Sequence, residues 1–123
     1  MVVHGPYAND NVAAVFRSFD VLLVPSVWFE NYPVVIREAL ACGRPVITSD
    51  IGGMAESIQD GVDGLHFRMG DASDLAAKMS MFIDDPGLLS RMVNGIGHVK
   101  TREECAAEFL TMYSELQSKG VKP

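Results

Sequence analysis

Two glutamates, Glu30 and Glu38, enclose seven residues in the segment Glu30-Asn-Tyr-Pro-Val-Val-Ile-Arg-Glu38, and their spacing is the strongest chemical signal in the chain. The apolar residues 21–24 before them are typical of a strand that is buried on both faces. Pro33 suits the first position of a helix, because it has no N–H group to leave unpaired. The pattern therefore places Glu30 after the end of a strand and Glu38 inside the following helix.

This placement has a chemical consequence. In an open parallel sheet, ligands bind beyond the carboxyl ends of the strands, where the N-termini of helices also point. Free backbone N–H groups at such an N-terminus bind anions, whereas carboxylates accept hydrogen bonds from hydroxyl groups. A ligand that combines hydroxyls with a phosphate, such as a sugar nucleotide, fits both kinds of group.

Composition narrows the class of protein. The chain has 123 residues and is 48% hydrophobic, which is enough for one domain with a core. The net charge of −6 argues against a nucleic-acid surface, and no apolar run is long enough to span a membrane. Cys42 and Cys105 lack metal spacing and are interpreted as reduced core thiols, and no signal peptide is visible. We therefore predict a cytoplasmic protein without a metal site.

Strands and helices alternate in the first part of the chain and helices follow in the second. We predict strands at 2–4, 21–24, 45–48 and 65–67, and helices at 9–19, 33–42, 54–59, 71–83, 88–96 and 101–117. Such alternation indicates an α/β fold, a partial Rossmann-like parallel sheet with flanking helices. Residues 1–123 are interpreted as a single truncated domain, in which residues 1–70 carry the ligand site and residues 71–118 form C-terminal helices.

Several stretches together resemble the C-terminal part of retaining glycosyltransferases with the GT-B fold, specifically glycosyltransferase family 4, group 1. The resemblance extends from His4 almost to the C-terminus. The stretches that carry it are 20–26 (Asp-Val-Leu-Leu-Val-Pro-Ser), 30–33 (Glu-Asn-Tyr-Pro), 38–46 (Glu-Ala-Leu-Ala-Cys-Gly-Arg-Pro-Val) and 50–53 (Asp-Ile-Gly-Gly). Each stretch is weak alone, and their order and spacing make the match specific.

The resemblance implies roles for the site residues. Glu38 would accept hydrogen bonds from the ribose of a nucleoside diphosphate sugar, and Glu30 would be the catalytic residue beside the transferred sugar. Backbone amides after Glu30 would meet the diphosphate and sugar. Because Pro33 cannot donate, the donors would be those of Asn31, Tyr32, Val34 and Val35. The donor sugar nucleotide would be a substrate, with no cofactor and no metal.

The departures from the family pattern are equally informative. The family carries an Arg and a Lys that clamp the diphosphate, and nothing before His4 supplies them. The N-terminal acceptor domain is also absent, so we expect an excised fragment or a truncated gene product that is inactive alone. The alternative is a non-catalytic remnant that acts as an oligomerising interaction module, for example as a homodimer through an exposed sheet edge at 2–4 or an apolar patch. A mononucleotide-binding regulatory domain is a weaker hypothesis, because no glycine-rich phosphate motif is present.

Single residues leave alternatives open. Glu38 is either a ligand-binding group or an acid that is exposed or paired with Arg44, and Glu30 also suits the dipole of the following helix. The Gly52-Gly53 pair either approaches a phosphate or sugar closely or forms a simple turn. Trp28 and Phe29 are expected to pack beneath the loop, with stacking on a sugar or base as the alternative.

Overall fold

In the part of the chain that the structure describes, three short parallel strands form a sheet, in the order β1-β2-β3. The computed structural model describes residues 2–6, 8 and 11–118. The strands are β1 (Leu22–Val24), β2 (Val46–Ser49) and β3 (Gly64–Phe67). In the register, Leu23 lies opposite Ile47 and Ile47 lies opposite Leu65. Because the strands are parallel, their carboxyl ends meet at one edge, where the Glu30 segment follows β1.

The described residues form six helices: α1 (Val12–Arg17), α2 (Val34–Ala41), α3 (Gly52–Glu56), α4 (Ala72–Asp84), α5 (Leu88–Gly95) and α6 (Arg102–Ser118). The strands alternate with helices up to β3, and only helices follow. The predicted α/β class and the parallel sheet are confirmed. The helices that the periodicity indicates all exist, with ends shifted by a few residues. The first two residues of the predicted helix 9–19 lie outside the described part of the chain.

Two apolar clusters cover the two faces of the sheet. One gathers residues of α1, α2, α3 and β2, among them Phe16, Ile36, Leu40, Val46 and Met54. The other joins β2 and β3 to α5, through Ile47, Leu65, Phe67, Leu88 and Met92. Adjacent strand residues point to opposite faces, so Val46 and Ile47 belong to different clusters. This explains why β2 is buried at all four positions.

The C-terminal end of α2 is fixed by one residue that does not belong to the site. Arg44 donates from Nε to the carbonyl of Phe16 at 2.9 Å and from Nη2 to that of Arg17 at 3.4 Å. These carbonyls lie at the end of α1, where a cation is favourable. Arg44 therefore joins α1 to the α2–β2 turn and is not the partner of Glu38.

The predicted strand at residues 2–4 is wrong. Residues 2–6 contain no strand and are exposed. The described sheet has three strands, and β1 pairs only with β2 among the described residues, so β1 is an open edge. A Val-Val-His run has β propensity, but these residues do not pair with the open edge of β1, and tertiary pairing decides such cases.

Helix α6 begins with the predicted capping box. The amide of Glu104 donates to Thr101 Oγ1 at 3.2 Å, and the amide of Thr101 donates to Glu104 Oε2 at 2.6 Å. Along α6 no residue is buried, and its large apolar side chains are exposed, namely Phe109, Leu110, Met112, Tyr113 and Leu116. Cys105 is half-buried, as is Cys42, and both are free thiols as predicted.

Candidate functional site

The loop between β1 and α2 carries Glu30, and it is attached to the sheet at two points. Ser49, buried at the end of β2, donates from Oγ to the carbonyl of Ser26 at 2.7 Å. The amide of Gly53 donates to the carbonyl of Glu30 at 2.9 Å. The loop backbone is therefore held over the carboxyl ends of β1 and β2, which is where an open parallel sheet binds its ligands.

The loop packs so closely against Gly52 and Gly53 that larger side chains would not fit there. A Cβ on Gly53 would meet the carbonyl oxygen of Asn31 at 1.9 Å, and one on Gly52 would meet that of Glu30 at 3.2 Å. Gly52 also has a φ of 51°, which favours glycine. The group that approaches the pair closely in this structure is the protein's own backbone, and a close approach of a phosphate or sugar stays a prediction.

Trp28 and Phe29 do not pack beneath the loop, so the favoured prediction for them is wrong. Trp28 is 76% exposed and Phe29 is 80% exposed. Only the edge of the Phe29 ring approaches another element, since a Cβ on Gly52 would lie 3.3 Å from its Cδ1. The sequence alone does not reveal that these side chains are exposed. In the folded chain, the space under the loop is occupied by the glycine pair and the loop backbone.

Glu38 lies in a groove of about 660 Å³ between α2 and the start of α6. It is half-buried and, among the described residues, it forms no ion pair. Arg44, its proposed alternative partner, bonds to the end of α1 instead. The groove is lined by Tyr32, Val34, Arg37, Glu38, Ala41, Val99, Lys100, Thr101, Arg102 and Cys105.

The structure divides the predicted site residues into two groups. Tyr32, Val34 and Glu38 line the groove together. Glu30 and Asn31 lie on the loop at Gly52 and Gly53, and they are not among the residues that line the groove. The chain between the two groups is short, so the loop and the groove are the two ends of one continuous segment.

Four backbone amides of this segment are available to bind a ligand. Those of Asn31, Tyr32, Val34 and Val35 form no hydrogen bond to another described residue, whereas the amide of Ile36 donates to the carbonyl of Pro33 at 3.1 Å. Pro33 precedes α2 as its N-cap residue and offers no side-chain cap. Unpaired N–H groups at the start of a helix are an anion-binding arrangement.

Three cationic residues of the groove were missed by sequence reasoning. Arg37 donates from Nη2 to the carbonyl of Lys100 at 2.6 Å, and its guanidinium lies 5.4 Å from the centre of the Tyr32 ring. Lys100 lies in the segment before α6, and Arg102 is the first residue of α6. Arg37 stands next to Glu38 in the chain, but the other two are more than 60 positions away, so no spacing rule could bring them to the groove.

Two ionisable groups near the groove are perturbed. The Glu108 carboxylate, which accepts from Lys100 Nζ at 2.8 Å, raises the pKa of that ammonium group above its usual value. The backbone N–H of Thr101, and secondly His98, hold the pKa of Glu104 below its usual value. These contacts fix the start of α6, which forms one wall of the groove.

Within the described part of the chain, no three His, Cys, Asp or Glu side chains are grouped so that they would hold a metal ion. None of the helices in these described residues has the length and apolar character that a membrane span requires. The predictions of a metal-free site and a cytoplasmic protein both stay predictions.

The parallel sheet, the glycine-backed loop and the groove at Glu38 define a Rossmann-like domain of the GT-B glycosyltransferase type, which is the fold of the structures that it resembles. Residues 1–85 match the family model "Glycosyl transferases group 1". The chain belongs to this family, which confirms the resemblance to the C-terminal part of GT-B glycosyltransferases of group 1, while the assignment to family 4 and the retaining mechanism stay predictions.

Two curated relatives illustrate the match. A D-inositol 3-phosphate glycosyltransferase of Streptomyces bingchenggensis is 34% identical over 113 residues, covering 89% of this chain and 25% of the relative. An N,N'-diacetylbacillosaminyl-diphospho-undecaprenol alpha-1,3-N-acetylgalactosaminyltransferase of Campylobacter jejuni is 34% identical over 86 residues, covering 70% and 23%. The chain thus spans about a quarter of the length of these relatives.

Solved structures show the same fold. Sucrose-phosphate synthase from Thermosynechococcus elongatus superposes with a TM-score of 0.78 at 27% identity, over 94% of this chain and 30% of that one. The Anabaena protein HepE, in complex with UDP and glucose, superposes with a TM-score of 0.70 at 25% identity, over 82% and 29%.

Proposed function

We propose that this chain is the donor-binding part of a retaining glycosyltransferase, which transfers a sugar from a nucleoside diphosphate sugar to an acceptor. Membership of the glycosyl transferases group 1 family supports the reaction class. The similarity to HepE, whose structure contains UDP and glucose, supports a nucleoside diphosphate as the ligand. The relatives named above differ in their acceptors, so the proposal names none.

The observation that carries the proposal is the unpaired carboxylate of Glu38 in the groove with Tyr32. Three cationic residues line the same groove, yet Glu38 forms an ion pair with none of them. A half-buried carboxylate needs hydrogen-bond donors, and the two hydroxyls of a ribose supply them. Tyr32, which is 52% exposed, offers an aromatic face beside this position.

The diphosphate would then meet the amides of Asn31, Tyr32, Val34 and Val35. A helix N-terminus contributes only about 0.3–1 kcal/mol to binding an exposed anion. Charge-assisted bonds are stronger, and Arg102 at the groove wall is placed to add one. Arg102 is a candidate for part of the clamp that the family carries before the matched region.

Glu30 is assigned to the transferred sugar as the catalytic residue of the complete enzyme. Its backbone is fixed by Gly53, so its carboxylate starts from a defined position over the sheet edge. Positioning of the sugar and stabilisation of the leaving diphosphate would provide most of the rate. The amides between Glu30 and Glu38 would serve that second purpose, because charge develops on the diphosphate as the bond to the sugar breaks.

The test is ligand-observed NMR with UDP, GDP and ADP and the corresponding glucose nucleotides, which detects millimolar binding. We expect selective binding of one base, weakened about tenfold or more by Glu38→Gln, since a hydrogen bond to a charged group is worth about 1.5–3 kcal/mol. Glu56→Gln is the control, because Glu56 is an exposed acid of α3 outside the groove. Equal binding by wild type and Glu38→Gln, or no binding, would contradict the proposal.

A second candidate function is a non-catalytic module that oligomerises. The exposed apolar residues of α6 favour it, because soluble domains rarely expose a contiguous apolar surface without a partner. The open edge of β1 is a second possible contact. This candidate requires self-association but no nucleotide binding, so the titration above separates the two.

A further inference from the structure

Two large aromatic side chains next to Glu30, the catalytic candidate, are exposed to solvent. Trp28 and Phe29 precede Glu30 directly, and more than three quarters of each side chain is exposed, at 76% and 80%. Removing apolar surface of this kind from water is favourable. Exposed aromatic patches of this kind mark binding sites.

The loop backbone is hydrogen-bonded on both sides of the two rings. The amide of Trp28 donates to Ser26 Oγ at 3.3 Å, and the amide of Glu30 donates to the carbonyl of Trp28 at 3.0 Å. The carbonyls of Ser26 and Glu30 are themselves held by Ser49 and Gly53. The rings are therefore displayed by a fixed backbone, which lowers the entropic cost of binding to them.

The glycine pair closes the space below the loop. Only one edge of the Phe29 ring reaches Gly52, and the rest of the ring is open. Any larger residue at Gly53 would collide with Asn31. The same contact that positions Glu30 thus also keeps the aromatic residues at the surface.

We propose that Trp28 and Phe29 form a stacking surface for a pyranose ring whose hydroxyls are bound by Glu30. A pyranose has a face of C–H groups, which packs on the electron-rich face of an aromatic ring, and a rim of hydroxyls, which a carboxylate accepts. Aromatic rings next to a carboxylate match both surfaces of one sugar. The inference rests on the proposed function, and it adds the residues that recognise the sugar.

The pyranose has two possible sources, the sugar of the donor and the sugar of an acceptor. Their chemistry at Trp28 and Phe29 is the same, so the experiment separates them. A nucleobase also stacks on aromatic rings, but it would be bound equally with or without an attached sugar. A lipid surface would also bind the two aromatic rings, but that binding would not require Glu30.

The test measures the affinity of the whole chain for UDP, for UDP-glucose, and for methyl α-D-glucopyranoside in the presence of UDP. The variants are Trp28→Ala and Phe29→Ala, with Trp28→Phe as the conservative change. Phe109→Ala is the matched control, because Phe109 is an exposed aromatic residue of α6, at 56%, outside the loop. Trp28 is the chain's single tryptophan, so its fluorescence reports on the loop directly.

We expect Trp28→Ala and Phe29→Ala each to weaken sugar binding about three- to tenfold and to leave UDP binding unchanged. Trp28→Phe should restore most of the loss. If the loss falls on UDP-glucose, the surface binds the donor sugar. If it falls on the glucoside in the presence of UDP, the surface binds an acceptor sugar.

Three results would overturn the inference. The first is UDP binding that the alanine variants weaken as much as UDP-glucose binding, which would indicate nucleobase stacking. The second is sugar binding that no aromatic variant changes. The third is a Trp28 fluorescence shift with phosphatidylglycerol vesicles and with no sugar. Failure of wild type to bind UDP would instead count against the proposed function, and sugar binding that depends on Trp28 would survive it.

Discussion

Gly53 determines the geometry of the site at the scale of a single residue. Its amide holds the carbonyl of Glu30, and its missing side chain admits the carbonyl of Asn31. Backbone atoms cannot give way as a flexible side chain does, so a collision at 1.9 Å must move the loop or α3. One absent methyl group therefore positions both the catalytic candidate and the aromatic residues before it.

The first prediction concerns this contact. Gly53→Ala should lower the free energy of unfolding by about 1–3 kcal/mol, the usual range for overpacking, and should abolish sugar-nucleotide binding. Urea denaturation and the NMR titration measure the two effects. Gly97→Ala is the control, because a Cβ there meets nothing within 4 Å and should leave both quantities nearly unchanged. Wild-type stability and binding in Gly53→Ala would show that the loop does not depend on Gly53.

Sequence predicts some of the site and not the rest, for a physical reason. The spacing of Glu30 and Glu38 places one acid after a strand and the other inside a helix, because strand and helix periods are local properties. The exposure of Trp28 and the partner of Arg44 are not local, since each depends on residues that folding brings near. The same reason explains why Lys100 and Arg102 were missed at the groove.

At the scale of elements, helix α6 stands out because it is held mainly at its first turn. It has 17 residues and none is buried. The described contacts of its start are polar, with Thr101 and Glu104 in the capping box and His98 against the Glu104 carboxylate at 2.9 Å. A helix without a buried face is marginal in water, so its order should respond to the charge state of its cap.

The second prediction is a pH dependence of α6. Contacts with the N–H of Thr101, and then with His98, hold the pKa of Glu104 below its ordinary value of 4.5. A lowered pKa in the folded state stabilises the helix above the ordinary value, and this stabilisation is lost as the pH falls through the lowered one. The Cα chemical shifts of residues 102–110 should therefore move towards coil values as the pH falls below 4.5.

Glu104→Gln should weaken the helix start at neutral pH and remove this acid transition. Glu103→Gln is the matched control, since it removes a charge from the same turn without touching the capping box. An acid transition that persists in Glu104→Gln, or that Glu103→Gln removes equally, would mean that the helix responds to the total charge of its first turn rather than to the cap.

Element prediction succeeded where a segment has a period of its own and failed where pairing decides. The amphipathic pattern indicates α4 and α5, and the capping box marks the start of α6 within a residue. The strand predicted at 2–4 fails because a strand needs a pairing partner, and residues 2–4 do not pair with the open edge of β1. A short apolar run carries no information on whether that neighbour exists.

At the scale of the whole molecule, the chain exposes two surfaces of a kind that commonly form protein–protein contacts. Helix α6 displays Phe109, Met112 and Tyr113, among other apolar residues, and β1 has an open edge. The net charge of −6 opposes association, but it is small for a molecule with 8616 Å² of solvent-accessible surface. We expect the apolar contribution to dominate at high protein concentration.

The third prediction is reversible self-association. Sedimentation velocity should show a dimer that grows with protein concentration and disappears in the double variant Phe109→Glu, Tyr113→Glu. Ile83→Glu is the control, because Ile83 is 80% exposed on α4, away from α6. A monomer at every concentration would exclude the oligomerising module and would leave the donor-binding proposal untouched.

The measurement that tests the central claim most directly is an amide-resolved NMR titration of the chain with UDP-glucose. The proposed site predicts the largest shifts at the amides of Asn31, Tyr32, Val34 and Val35, and smaller ones at Gly53, whose amide bonds to Glu30. The amides of α4 and α5, on the other face of the sheet, should not move. Shifts centred on α4 and α5, or no shifts at saturating ligand, would contradict donor binding at the Glu30–Glu38 segment.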